Sequence, residues 1–344
     1  MIGKAGVTVF RGNGMIDFSH IDLAGDFASL DPCARLLVRA SIAKGLSPAM
    51  VTRKMYVIEG NGRAEFFQST MPTSISCLAR AACKNKDLAK RFFRENGVPT
   101  PQGLAFTPRE IRKAARFMQS AGGANFVLKP EDGALGEMVF MNIDSEQKLK
   151  EKCALFPKRK LLLLEEQVEG PECRYFVLGD RVIAVAERKP ASVIGDGKGT
   201  ISELVRRKNA GREGHLTLKA IEIDDETRDL LSAQGMNPDT VPADGQHVRL
   251  KRVSNISQGG DSVDMTDLAH DDLKALAVSA LRSIPSLRYA GVDMIARDHA
   301  APLSGQRAVI LEINSIPMLR IHHAPAVGQP RDVAGAVLDR LFFD

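Results

Sequence analysis

Tryptophan is absent from this chain and tyrosine occurs only three times. Ring platforms for sugars or single-stranded nucleic acid are therefore poorly supplied. Cysteine is sparse as well. Cys33, Cys77, Cys83, Cys153 and Cys173 are odd in number, scattered, and form no Cys-x-x-Cys pair. That pattern suits neither a disulfide framework nor a zinc site, and a reducing cytoplasm is its natural setting. No run approaches the ~18 apolar residues of a membrane-spanning helix. Met1 to Asn13 lacks the apolar core of a signal peptide. There is no HExxH, no GxSxG and no Cys–His arrangement that stands out, so nucleophilic hydrolase chemistry has no sequence basis. Charge of one sign is also missing. Lys+Arg total 47 against 42 Asp+Glu, a net +5 too mild and too dispersed for a nucleic-acid partner. A small excess of positive charge does fit an anionic small molecule such as a nucleotide.

What is present is ample core material. Hydrophobic residues make up 44% and charged residues 26% of 344, as expected for two or three packed units of a globular enzyme. The pattern predicts an α/β chain with an N-terminal unit over 1–83, a compact unit over 84–158 and a larger unit over 159–344. In the first, Val7 to Phe10 and Met50 to Ile58 read as strands, Asp31 to Lys44 as a helix, and Gly60-Asn61-Gly62 as a turn. In the second, a helix over 84–97 ends at Asn96-Gly97, and Thr107-Pro108-Arg109-Glu110 is a capping box for a helix to Ser120. Phe126 to Pro130 and Met138 to Ile143 are strands around a loop, and Asp144 to Gln147 opens another helix. In the third, Gly179-Asp180 joins two strands as a hairpin, and Thr200 to Glu203 caps a helix. Residues 211–264 look irregular, Thr266 to Ser283 helical, and 290–297 and 307–313 extended, before a closing helix from Arg331 to Leu341.

Chemistry concentrates in the last third. Strand alternation in Leu311-Glu312-Ile313-Asn314 puts Glu312 and Asn314 on one face. Asp293 lies inside the apolar run from Ala290 to Ala296, where a charge is costly unless it is paired or bound to metal. Two carboxylates and an amide oxygen are hard ligands suited to Mg²⁺. Lys129 ends a strand just before the Asp132-Gly133-Ala134-Leu135-Gly136 loop, whose glycines let backbone N–H groups approach phosphate. Lys86 lies near the start of a helix with Lys84, Lys90, Arg91 and Arg94, most of which read as a solvated basic face. The run Leu161–Leu164 with Glu165, followed by Glu172 and Arg174, can present backbone to an adenine edge and a carboxylate to ribose hydroxyls. Arg188 precedes a turn-rich segment, Pro190 to Thr200, and a second such segment runs from Leu250 to Ser262. His322 and His323 are adjacent and diverge on any regular element, so one metal is an unsuitable target for both.

Taken together these pieces resemble the ATP-grasp superfamily of carboxylate–amine ligases. The likeness is to the ATP-grasp region of cyanophycin synthetases and to the glutathione-synthetase part of the bifunctional glutathione-forming enzymes. It spans residues 73 to 342, through Lys86-Asp87-Leu88, Gly97-Val98-Pro99-Thr100-Pro101, Val127-Leu128-Lys129-Pro130, Gly195-Asp196-Gly197-Lys198, Asn255-Ile256-Ser257, Gly291-Val292-Asp293 and Glu312-Ile313-Asn314. The first 70 residues show no clear match by motif.

The resemblance implies two α/β subdomains clamping ATP, behind a small N-terminal α/β domain. Lys86 and Lys129 would hold phosphates under the 133–138 loop with Gly133 and Gly136. Glu165 and the backbone of Gln167 and Val168 would face adenine, and Glu172 ribose. Asp293, Glu312 and Asn314 would bind two Mg²⁺ ions. Arg188 and Arg174 would meet phosphate or the substrate carboxylate, and Asn255 would line the acceptor side. The implied reaction forms an amide from a small-molecule carboxylate and an amine through an acylphosphate, in a cytoplasmic homo-oligomer with no nucleic-acid or membrane partner. A regulatory nucleotide-binding module without turnover and a small-molecule kinase are the alternative readings. The chain departs from the family pattern at Glu137-Met138, at Lys251 where relatives often carry Arg, and at Ile316-Pro317-Met318.

Overall fold

The computed structural model describes residues 27–121, 125–132 and 138–344. The expected strand at Val7–Phe10 lies outside them. Asp31 opens the first helix: its side chain accepts from the N–H groups of Cys33 and Ala34 at 2.9 and 3.2 Å, and Pro32 follows where a missing N–H costs nothing. That helix, α1 (Pro32–Ala43), precedes an antiparallel sheet of β1 (Ser47–Thr52), β2 (Met55–Gly60), β3 (Arg63–Gln68) and β4 (Met71–Pro72). The single strand expected over Met50 to Ile58 is in fact two. Thr52 Oγ1 accepts from the N–H of Lys54 and of Met55, both at 3.2 Å, and folds the chain back on itself. The turn at Asn61-Gly62 follows, both residues at positive φ.

Two helices come next, α2 (Cys77–Lys84) and α3 (Lys86–Glu95). The expected helix over 84–97 begins at Lys86 because Asn85 caps it, its Oδ1 accepting from Leu88 N–H at 2.7 Å. A second sheet is built from β5 (Gly103–Phe106), β6 (Phe126–Pro130), β7 (Phe140–Ile143) and β8 (Leu162–Glu166) in the order β5-β8-β6-β7. Helices α4 (Ile111–Ser120) and α5 (Glu146–Cys153) cover it, packing Ala114, Met118, Leu149 and Cys153 against Phe126, Leu128, Leu162 and Leu164.

The largest sheet runs β13-β10-β9-β14-β15, from β9 (Glu172–Leu178), β10 (Arg181–Lys189), β13 (Asp261–Asp264), β14 (Tyr289–Ala296) and β15 (Ala308–Asn314). Gly179 at φ +62° makes the β9–β10 hairpin. Between β10 and β13 sits a lobe holding β11 (Ser192–Ile194), α6 (Ile201–Ala210), α7 (Asp225–Ala233) and β12 (His247–Arg249). Within the stretch expected to be irregular, α7 forms because Asp224 Oδ1 accepts from Thr227 N–H at 3.0 Å. Helix α8 (Asp271–Ser283) starts later than Thr266, since that hydroxyl is engaged with Asp264 at 2.6 Å and His270 is the cap. The short α9 (Arg320–His323) and α10 (Val333–Phe342) close the chain.

Strand β9 has apolar cores on both faces. Cys173, Tyr175 and Val177 pack under α8, with Ala79, Ala89 and Phe93 of α2 and α3 in the same cluster. Phe176 and Leu178 face α1, the N-terminal sheet and α10, with Tyr56, Phe67 and Leu338. The N-terminal sheet thus buttresses the large one. Thr70 Oγ1 donates to Pro317 O at 3.1 Å, and Tyr289 Oη donates to Thr70 O. Among the described residues no helix is long and apolar enough to cross a membrane.

Candidate functional site

One face of the large sheet changes character along its length. Phe176, Leu178, Ala184 and Tyr289 make that face apolar at one end. Period-two alternation then brings Arg174, Glu172, Arg188 and Asp293 onto the same face at the other end. Register fixes the pairing: Asp293 stands opposite Arg174 on one side and Glu312 on the other, and Arg188 stands opposite Glu172. Gly291 permits this, because a Cβ there would lie 3.1 Å from Arg174 Cδ and 3.3 Å from Pro317.

Asp293 is fully buried and grips Arg174 through two bonds, Nε to Oδ1 and Nη2 to Oδ2, both 2.6 Å. Arg188 Nη2 reaches Asp293 Oδ2 at 2.8 Å and also binds Glu172. Glu172 in turn accepts from Ser254 Oγ. Arg188 Nε is buried with no hydrogen-bond partner among the described residues. Burial pushes the Asp293 carboxyl up to about 6 against the pull of Arg174 and Arg188. Burial would raise Glu312 too, but Lys86 and Arg174 outweigh it and hold that carboxyl at about 2. Asn314 Nδ2 donates to Glu312 Oε1 at 3.1 Å, so the alternation expected of this strand is observed.

Across the cleft, β6 and β8 pair so that Val127 opposes Glu165. Glu165 is buried and binds Lys129 Nζ on one oxygen. Its other oxygen forms an ion pair with Lys90 Nζ at 2.7 Å. Burial disfavours the charge on Glu165, yet the two ammonium groups prevail and its pKa lies below the ordinary carboxylate range. Lys86, one helical turn before Lys90, stands 3.9 Å from Glu312 Oε2 and joins this cluster to the carboxylates of the large sheet. Burial lowers the pKa of both Lys86 and Lys90.

The remaining candidates fall as follows. The Gln167 side chain makes a reciprocal pair with Asn142, at 3.0 Å to its Oδ1 and 2.8 Å from its N–H, while Gln167 N–H donates to Asn125 O at 2.8 Å. Val168 is half-buried on the link between the two sheets. Asn255 caps the turn after Ser254, accepting from Ser257 N–H and Oγ at 3.0 and 2.9 Å. Gly133 and Gly136 lie outside the described residues. Lys251 is buried against Asp224 and Glu226 of the lobe. His322 is buried beside Phe176, His323 Nε2 accepts from Ala334 N–H at 3.1 Å, and the pair does not converge. Lys90 corrects the expectation of a solvated face, being only 1% exposed. The available signal was its i,i+4 spacing from Lys86, on the stripe that also carries Ala89 and Phe93. Ser254 had no signal beyond its place in a turn.

Lys86, Lys90, Lys129, Arg174 and Arg188 thus meet Glu165, Glu172, Asp293 and Glu312 in one cluster of ion pairs, with the buried Glu131 acting on Lys86 at its edge. Among the described residues no three His, Cys, Asp or Glu side chains are grouped to hold a metal. The three ligands expected from the sequence, Asp293, Glu312 and Asn314, lie together, and their all-oxygen chemistry would suit Mg²⁺ rather than a softer ion; here both Asp293 oxygens are engaged by Arg174 and Arg188.

No protein-family model matches the chain. It is 33% identical over 321 residues to cyanophycin synthetase of Trichormus variabilis, covering 92% of this chain and 35% of that protein. That share extends beyond residues 73–342, so the similarity reaches into the N-terminal unit, where the motifs showed no clear match. The chain is 34% identical over 272 residues to a glutathione biosynthesis bifunctional protein of Streptococcus thermophilus, covering 76% of this chain and 35% of that one. The chain spans about a third of the length of these curated relatives. Among solved structures, the bifunctional glutathione synthetase from Pasteurella multocida superimposes with a TM-score of 0.68 at 28% identity, covering 92% of this chain and 44% of that one.

Proposed function

The chain has an ATP-grasp fold, and on that premise we propose that it is an ATP-dependent carboxylate–amine ligase. The observation that carries this reading is the cluster itself, where five cations and their carboxylate partners converge from both sheets and α3. Such a site suits a triphosphate and its counter-ions.

Lys129 and Lys86 hold phosphate oxygens from the small sheet and α3. Glu165 and the Gln167–Val168 backbone border the adenine, and Glu172 the ribose. Asp293, Glu312 and Asn314 would hold two Mg²⁺ ions, which would supply charge neutralisation at the transferring phosphoryl group. Arg174 and Arg188 are exchanged from Asp293 toward phosphate or the substrate carboxylate as the ligands enter. An oxygen of the substrate carboxylate attacks the γ-phosphorus and the bond to the β-phosphate oxygen breaks, giving ADP and an acylphosphate. The amine nitrogen attacks the acyl carbon, loses a proton, and phosphate departs with the former carboxylate oxygen. Asn255 and the turn at 259–262 border the acceptor. The chain residues contribute position and charge rather than a covalent group.

The substrates are amino-acid or peptide-like carboxylates and amines. The chain works as a homo-oligomer and has three units, the expected boundary at 158 being moved past β8 (Leu162–Glu166), which completes the sheet of the middle unit. A reducing cytoplasm is its setting, in keeping with five free thiols. The test is ADP release with Mg²⁺-ATP and pairs of amino acids or short peptides, with mass spectrometry of the product. Turnover that needs both a carboxylate and an amine supports the ligase. ATP binding without pair-dependent turnover across the set overturns it.

A further inference from the structure

Lys90 is the most deeply buried cation of the cleft, and nothing so far gives it a task. It projects from α3, whose Ala89 and Phe93 pack into the core of the large sheet. Its ammonium crosses to the small sheet and meets Glu165 Oε2 at 2.7 Å. The same ammonium donates to Thr100 Oγ1 at 3.2 Å, and that hydroxyl donates to Ile310 O at 2.9 Å, two residues before Glu312. Ile310 N–H in turn donates to Pro99 O at 2.8 Å. One continuous chain of polar contacts therefore joins the strand bearing Glu312 to the strand bearing Glu165, and Glu165 is what Lys129 rests on.

We propose that Lys90 is a positioning residue for nucleotide phosphate binding: it neutralises Glu165 from behind, so that the Lys129 ammonium keeps charge to offer a phosphate. The inference rests on the ATP-binding reading above. The charges show why. Lys90, Glu165 and Lys129 together carry one net positive charge. Without Lys90 the pair Glu165–Lys129 is neutral, and Lys129 is held by a buried carboxylate in a low-dielectric setting where such attraction is strong. An arginine in place of Lys90 keeps the neutralising charge while changing the shape of the stem. A purely packing role for Lys90 predicts no benefit from that charge.

The experiment is calorimetric titration of Mg²⁺-AMPPNP into the wild type, Lys90→Met, Lys90→Gln and Lys90→Arg. Methionine adapts to the buried path of the lysine stem, and Glu165 keeps Lys129 as its partner in each variant. The expected result is at least tenfold weaker binding for Lys90→Met, with Lys90→Arg within threefold of wild type. In turnover, the loss appears in KM for ATP before kcat. Equal binding by Lys90→Met and wild type overturns the proposal. So does equal weakening of Lys90→Met and Lys90→Arg, which would make Lys90 a packing residue. Should Lys90→Met fail to fold, Lys90→Gln, equally uncharged, decides: binding within threefold of wild type overturns the proposal. If the wild type itself binds no nucleotide, the ATP reading falls first and takes this one with it.

Discussion

Replacing Arg174 by Met removes both short bonds to a carboxylate that has no solvent exposure. Breaking a buried ion pair from one side typically costs about 3–5 kcal/mol, because the remaining charge is left uncompensated. Arg188 still reaches Asp293 at 2.8 Å, so the lower end of the range applies, about 3 kcal/mol. At about 2 °C per kcal/mol for a chain of this size, the melting temperature should fall by about 6 °C. The assay is differential scanning calorimetry without divalent metal, at pH 8 and pH 5. Sign matters here. Asp293 is an acid whose folded pKa is raised, to about 6. Its ionised form is therefore a burden that grows as pH rises through that value and shrinks as pH falls toward the unfolded value. The variant should lose its full 6 °C at pH 8 and clearly less at pH 5, where Asp293 can take up a proton. Adding Mg²⁺ at pH 8 should restore more of the loss in the variant than it adds to the wild type. A drop under 1 °C at pH 8, or an equal drop at both pH values, would refute the claim that Arg174 carries the buried charge of Asp293.

Glu312→Gln should lower kcat for ATP turnover by ~100-fold or more while the chain stays folded, since it removes a charge at the proposed metal site and no core volume; steady-state ADP release checks it. Arg307 binds both oxygens of Glu166 at 2.5 and 2.7 Å across the two sheets, but its side chain is 55% exposed. Arg307→Ala should therefore cost no more than about 1 kcal/mol in urea unfolding. His322 is buried and its pKa is pushed by burial from 6.5 to about 3. Since the unfolded chain binds the proton more readily, stability falls as pH drops from 6.5 toward 3, by on the order of 3 kcal/mol at pH 4. His322→Gln should flatten that acid limb in denaturant melts taken from pH 7 to pH 4.

Much of the site was readable because it depends on short-range periodicity. Glu312 and Asn314 share a face simply because strands alternate, and Phe126–Pro130 is a strand with the bounds its composition suggested. Thr200 and Glu203 form the reciprocal capping box that their spacing promises. What escaped depends on long-range register or on burial. Arg174 and Asp293 lie 119 residues apart, and only the pairing of β9 with β14 sets them opposite each other. The lysine face of α3 looks solvated in sequence, yet Lys90 is buried because a second sheet closes over it, and a helical pattern does not reveal a neighbour of that kind. The break at Thr52 escaped for a different reason: a hydroxyl that closes a turn also suits a strand, and composition favours neither.

The central claim is that a carboxylate oxygen of one substrate is transferred to phosphate while an amide forms. It is tested most directly with a substrate pair that supports ADP release, the carboxylate being labelled with ¹⁸O. Mass spectrometry of the inorganic phosphate should then show one ¹⁸O per phosphate released, and the amide product should have lost one label. Label that stays entirely in the organic product, with unlabelled phosphate, would contradict the acylphosphate route and the ligase assignment with it.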